Sequence, residues 1–115
     1  MYVEGFLIAV PTARKGDYLK IAEKAAPVYK EYGAIEVVEC WGDDVPPGKV
    51  TSFPMAVKLK DDETVVFSWI VWPDKATREE GNKKIMTDPR MQPEGGMPFD
   101  AQRMIFGGFE TLLER

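Results

Sequence analysis

Residues 2–10, YVEGFLIAV, alternate with the period of a strand: Tyr2, Glu4, Phe6, Ile8 and Val10 share one face, Val3, Gly5, Leu7 and Ala9 the other. Both faces are mostly apolar, so both are expected to be covered. Pro11 and Thr12 close the strand and offer a helix cap. From 13 to 32 the period becomes helical, and Tyr18, Ile21, Ala22, Ala25, Val28, Tyr29 and Tyr32 form one stripe. Pro27 removes a backbone donor inside that helix and predicts a kink, and Gly33 supplies a left-handed stop. Residues 34–42, AIEVVECWG, predict a second strand with Ile35, Val37, Glu39 and Trp41 on one face and Glu36, Val38, Cys40 and Gly42 on the other. The loop DDVPPGKV follows, because two prolines and a glycine cannot continue a ladder. FPMAVKLKDDE has no clean period and predicts a short irregular or helical piece with a turn at Asp61-Asp62.

Residues 64–72, TVVFSWIVW, are apolar on both faces, as in a strand in the middle of a covered sheet. Val65, Phe67, Trp69 and Val71 alternate there with Val66, Ser68, Ile70 and Trp72. Asp74 is placed to cap a second helix, which ends near Thr87 because Asp88 precedes Pro89. Its apolar stripe is thin: Ala76, Ile85 and Met86. DPRMQPEGGMPFD reads as a loop, and RMIFGGF, 103–109, as a last strand that Arg103 begins. The order strand, helix, strand, strand, helix, strand predicts an α+β fold of the ferredoxin-like βαββαβ plan, a single domain over 1–115 with an antiparallel four-stranded sheet and both helices on one face.

Two helices cover one face of such a sheet, yet these strands are apolar on both. An aromatic-rich uncovered face exceeds what a soluble monomer tolerates, which predicts a homodimer packed sheet to sheet. In that arrangement a partner covers Val37 and Trp41 together with Phe67 and Trp69. The alternative is that the loops at 43–62 and 88–102 fold over the face.

Composition narrows the chemistry. The 115 residues carry a net charge of −4 with both signs interspersed, and there is no basic run to displace counterions from a phosphate backbone, which argues against nucleic acid as a partner. No apolar run approaches the roughly 20 residues of a membrane helix, so no membrane association is expected. The N-terminus lacks the basic region and cleavage site of a secretory leader, and the one cysteine cannot form an internal disulfide, which together predict a cytoplasmic setting. There is no histidine, which removes serine–histidine and cysteine–histidine nucleophiles, histidine-ligated haem and nearly every common zinc site. No cofactor motif is recognisable; the glycines of EGGMPF have neither the spacing nor the following helix of a phosphate loop.

The stretches VECWGDDVPPGKVTSF, VVFSWIVWPDKA, DPRM and GGMPFDAQRMIFGGFE closely resemble the YbaA-like family, the domain of unknown function numbered 1428. The resemblance runs over essentially the whole chain. It implies a subunit of the dimeric α+β barrel type, in which two sheets face each other, and it implies no reaction, because the family has no established activity. Monooxygenases, haem-degrading enzymes and small-molecule isomerases share that superfamily as analogies of fold only.

Among individual residues, Glu39 lies between Val37 and Trp41 and is the best candidate for an acid or base, since apolar surroundings disfavour a carboxylate's charged form. Glu4 beside Phe6 is a weaker one, expected at a strand end or edge where water or a basic partner satisfies it. Cys40, across the strand from Glu39 and without a histidine to activate it, reads as core filler. Asp43, Asp44, Asp61 and Asp62 could hold a hard cation, although paired aspartates in turns more often cap the backbone. Trp41 and Trp69 are candidate walls of a ligand pocket, and Arg103 a candidate partner for a carboxylate or an anionic ligand. Two functions compete. One is a protein that binds or transforms a small molecule in an aromatic-lined pocket of a homodimeric barrel, with Glu39 catalytic; the other is a non-catalytic dimeric module for interaction or regulation.

Overall fold

The computed structural model describes residues 1–115. Strand β1, Tyr2–Pro11, leads through a 3-10 turn into helix α1, Lys15–Glu31, and strand β2, Glu36–Trp41. A single helical turn α2, Phe53–Ala56, precedes strand β3, Glu63–Trp72; helix α3, Lys75–Thr87, and strand β4, Ile105–Glu110, complete the chain. The strands form one antiparallel sheet in the order β2-β3-β1-β4. This is the ferredoxin-like α+β plan, with the two apolar runs β1 and β3 at the centre.

Local chemistry sets the element ends. The Asp74 carboxylate accepts from the Thr77 amide at 2.7 Å, and Ser52 caps α2 by accepting from Met55. Gly33, at φ 112°, makes the left-handed exit from α1, while Asp88 is extended before Pro89. Pro11 stays in β1, and α1 begins without a side-chain cap. Arg103 falls in a 3-10 turn rather than starting β4, because the Asp100 carboxylate captures the Gln102 amide at 3.0 Å and closes that turn.

Register decides the two faces. Phe6 pairs with Ser68 and Ser68 with Glu39, while Ile8, Val66 and Trp41 form the adjacent row and Glu4, Ile70 and Val37 the row on the other side. These rows lie under the helices. Ile8, Val10, Val66 and Tyr18 form one buried cluster, and Ala34, Ile70, Trp72 and Ile85 a second. Trp72 is fully buried, and a Cβ built on Gly81 of α3 would approach its ring to 2.6 Å, so the absence of a side chain there lets α3 sit on the tryptophan. Met86, in contrast, points outward and is 77% exposed; the stripe of α3 runs through Gly81 and Ile85 instead.

The opposite face carries Gly5, Leu7, Ala9, Val65, Phe67, Trp69, Val38 and Cys40. The 43–62 segment covers one end of it, where Val57 is buried against Ala9 and Val65 and flanked by Val45 and Leu59. The rest stays open: Phe67 is 46% and Phe109 62% exposed. Val37 and Trp41 therefore lie across the sheet from Phe67 and Trp69, and one partner surface cannot cover all four as the strand patterns suggested. Alternation fixes parity within each strand, but pairing decides which parities coincide. No helix is long and apolar enough to cross a membrane.

Candidate functional site

The sheet and α1 do not close on each other completely. Between them, with the 88–104 segment as a third wall, lies a cavity of about 510 Å³. Its floor is the row Phe6–Ser68–Glu39, in which serine is the small member and leaves space beside the carboxylate. Tyr18, Ile21, Ala25 and Tyr29 of α1 form the roof, and Met91, Met97, Phe99 and Met104 the third wall. Alanine at 22 and 25 on the inward stripe of α1 keeps the helix from filling this space.

Glu39 is the carboxylate that looks into this chamber. The Tyr18 phenol donates to its Oε1 at 2.5 Å, and the Ser68 hydroxyl faces it from the next strand. Glu39 is exposed to solvent through the mouth of the cavity, and its neighbours shield it only in part. This partial desolvation raises its pKa above the ordinary 4.5, against the opposing pull of the Tyr18 and Ser68 hydrogen bonds. Tyr18 is pushed up by its own burial first and by the neighbouring Glu39 second, so it stays a proton donor. Tyr29 is raised to about 12, by burial and then by Glu4 and Glu39. The arrangement presents a carboxylate with a weakened preference for its charge, held by the Tyr18 phenol and set opposite Ser68, at the wall of an apolar chamber.

The other sequence candidates lie elsewhere. Trp41 is on the same sheet face, one row beyond Glu39, where it packs against the Ile8 cluster and carries the Lys15 ammonium 5.3 Å from its ring centroid. Trp69 is on the far face, its ring tilted 52° against Phe67 at 5.3 Å between ring centroids. Arg103 is engaged by Glu63, at 2.6 and 2.8 Å, and by Asp100 at 3.0 Å. This pairing holds the Glu63 carboxyl down at about 2. Glu4 is not at a sheet edge: it is buried in β1, accepting from Trp72 Nε1 at 2.8 Å and Asn82 Nδ2 at 3.1 Å, with Arg78 Nε 3.1 Å away. Cys40 is a free thiol on the face opposite Glu39. No three carboxylate or thiol side chains come together as a metal set.

Sequence reasoning placed Tyr18 and Tyr29 on the α1 stripe but gave them no part in the site, and it passed over Ser68. The available sign was Ser68 itself, the one polar residue in the run VVFSWIVW. A hydroxyl on the helix-covered side of a strand needs a polar neighbour, and strand pairing sets Ser68 opposite Glu39.

The sheet order and the two helices on one face define a ferredoxin-like α+β protein, with a chamber between helix and sheet. The chain belongs to the family described as protein of unknown function DUF1428, whose model matches residues 1–101. It is 55% identical over 114 residues to the uncharacterized protein YbaA of Escherichia coli strain K12, spanning 98% of this chain and 97% of that protein. The YbaA of Shigella flexneri matches to the same extent. Among solved structures, an uncharacterized NIPSNAP domain protein from Burkholderia xenovorans aligns with a TM-score of 0.56 at 17% identity, over 96% of this chain and 94% of that one. That likeness is one of fold.

Proposed function

We propose that this chain binds or transforms a small and largely apolar molecule in the chamber between α1 and the sheet, with Glu39 as the group that exchanges a hydrogen bond or a proton with it. The observation that carries this reading is the chamber itself: about 510 Å³, apolar on most sides, with one carboxylate and its hydroxyls converging at the floor. Volumes of roughly 300–1,000 Å³ with a few polar groups are typical of small-molecule sites. A carboxylate whose pKa is raised above its ordinary value moves toward the range useful for general acid–base work. Thermal-shift screening against metabolites tests it, since a ligand at 100 times its Kd adds about 2.7 kcal/mol of stability. A hit that disappears in Ala25→Trp, which fills the chamber, supports the site; a hit that survives in a folded Ala25→Trp protein sinks it.

A second proposal rests on a separate observation, the open apolar area around Phe67, Trp69, Ile105 and Phe109. A second copy packed face to face would cover it, and a module whose work is that contact is the alternative to ligand binding. On this reading Trp69 lines the dimer interface and the Glu39 chamber stays inside each protomer. Light scattering should give about twice the 13.0 kDa chain mass; a folded monomer at tens of micromolar removes the proposal.

A further inference from the structure

The fold encloses three carboxylates almost completely and leaves a fourth, Glu39, exposed through the chamber. The enclosed three each have an arginine: Glu4 has Arg78 at 3.1 Å, Glu63 has Arg103 at 2.6 Å, and Asp88 has Arg90 at 2.7 Å. Glu39 has no cation. The Tyr18 phenol donates to it and Ser68 pairs opposite it on the next strand, and neither compensates its charge. The fold thus pairs its enclosed carboxylates with arginine and leaves Glu39, exposed through the chamber, without a cation.

The walls around that charge suit a cation. Phe6, Tyr18, Tyr29 and Phe99 all line the chamber, with the Tyr18 and Phe99 rings edge to face at 6.0 Å. Aromatic faces carry negative potential and attract a cation within about 6 Å of the ring centroid. Of the six methionines, Met91, Met97 and Met104 form one wall, and thioether chains adapt to the outline of an apolar group. Tyr29, in the same lining, has its ring edge to face with Trp72 at 6.3 Å.

Resting on the reading of this chamber as a ligand site, we propose that its ligand is an organic monocation: an ammonium group seated at Glu39 and carried on a compact apolar or aromatic body that lies against Ile21, Ile70 and the methionines. The rim limits this to one charge. Lys20, Lys24 and Arg90 line the opening beside Glu94, and Arg90 is already held by Asp88 and Glu31. The two lysines repel a second ammonium that reaches the rim, so a polyamine is disfavoured. A single cation at Glu39 meets the carboxylate in contact, whereas the lysines are exposed and their charges are weakened by water and salt.

Titration calorimetry with three probes of similar shape tests the assignment: 2-phenylethylammonium, 2-phenylethanol and 3-phenylpropionate, each against the wild type and Glu39→Gln. The expected result is that the ammonium binds wild type at least about tenfold more tightly than the alcohol, and the carboxylate more weakly than either. In Glu39→Gln, whose folding is checked by its melting curve, the ammonium should fall to the level of the alcohol while the alcohol is unchanged. If the alcohol binds as well as the ammonium, the chamber remains a ligand site but the cation assignment is overturned. An ammonium preference that persists in Glu39→Gln overturns it as well. If none of the three binds at its solubility limit, the assignment falls together with the reading of the chamber.

Discussion

Arg78→Met isolates what one charge on α3 does for the buried end of β1. Glu4 is 5% exposed and accepts hydrogen bonds from Trp72 and Asn82, so its remaining charge is met by Arg78 alone. The Arg78 Nε lies 3.1 Å from Glu4 Oε2 but makes no aligned hydrogen bond, which makes its contribution coulombic. Methionine keeps the length and the apolar stem, including contact with Tyr2, over whose ring the guanidinium sits at 5.5 Å. Removing one partner of a buried ion pair costs about 3–5 kcal/mol because a charge is left uncompensated. The two surviving donors on Glu4 put the expected loss at the lower end, about 3 kcal/mol. For a chain of this length each kcal/mol moves Tm by roughly 4 °C, so Tm should fall by about 12 °C. Urea unfolding at neutral pH gives the same quantity from the midpoint at constant slope. Adding Glu4→Gln to Arg78→Met should recover part of the loss, since the orphaned charge is then gone. An Arg78→Met protein within about 0.5 kcal/mol of wild type would refute the reasoning, because it would mean that Trp72 and Asn82 satisfy Glu4 unaided.

Glu39→Gln should leave Tm unchanged or raise it at pH 7. The folded-state pKa of Glu39 is raised by desolvation, so ionising it costs the native state above that pKa, and the cost vanishes below the unfolded value. A lower Tm for the variant at pH 7, with wild type and variant no closer at pH 4, contradicts this sign. Glu63 behaves in the opposite way: Arg103 holds its pKa at about 2 against an ordinary 4.5, so the stability it contributes is present above pH 4.5 and lost as pH falls toward 2. Arg103→Met should flatten the wild-type loss of stability across that acid window, and an unchanged acid limb in urea titrations contradicts the assignment. Trp69→Asp places a charge in the open apolar face and should convert the expected dimer to a monomer in light scattering, with the helix–sheet core intact by circular dichroism; a variant that remains dimeric counts against that face as the interface.

The element order was legible along the chain because its causes are local. Period-two and helical stripes, the Asp74 cap, the left-handed turn at Gly33 and the Asp88-Pro89 break all act within a few residues, and from them the βαββαβ plan follows. Register was not legible. Each strand shows which of its residues share a side, but only pairing puts Glu39 beside Ser68 and Phe6 and sends Trp69 to the other face. The chamber depended on still more distant relations. Tyr18 meets Glu39 across 21 residues, and the 88–102 loop, which the sequence offered as a cover for the open face, forms instead, with Met104, a wall beside α1. Arg103 likewise read as a strand residue until Asp100 closed its turn and Glu63, 40 positions earlier, took its charge. Backbone and side-chain propensities act over one or two turns and so are written in the sequence itself. Which carboxylate receives an arginine and which is left facing a cavity depends on where the packed chain brings side chains together, and only the tertiary structure settles that.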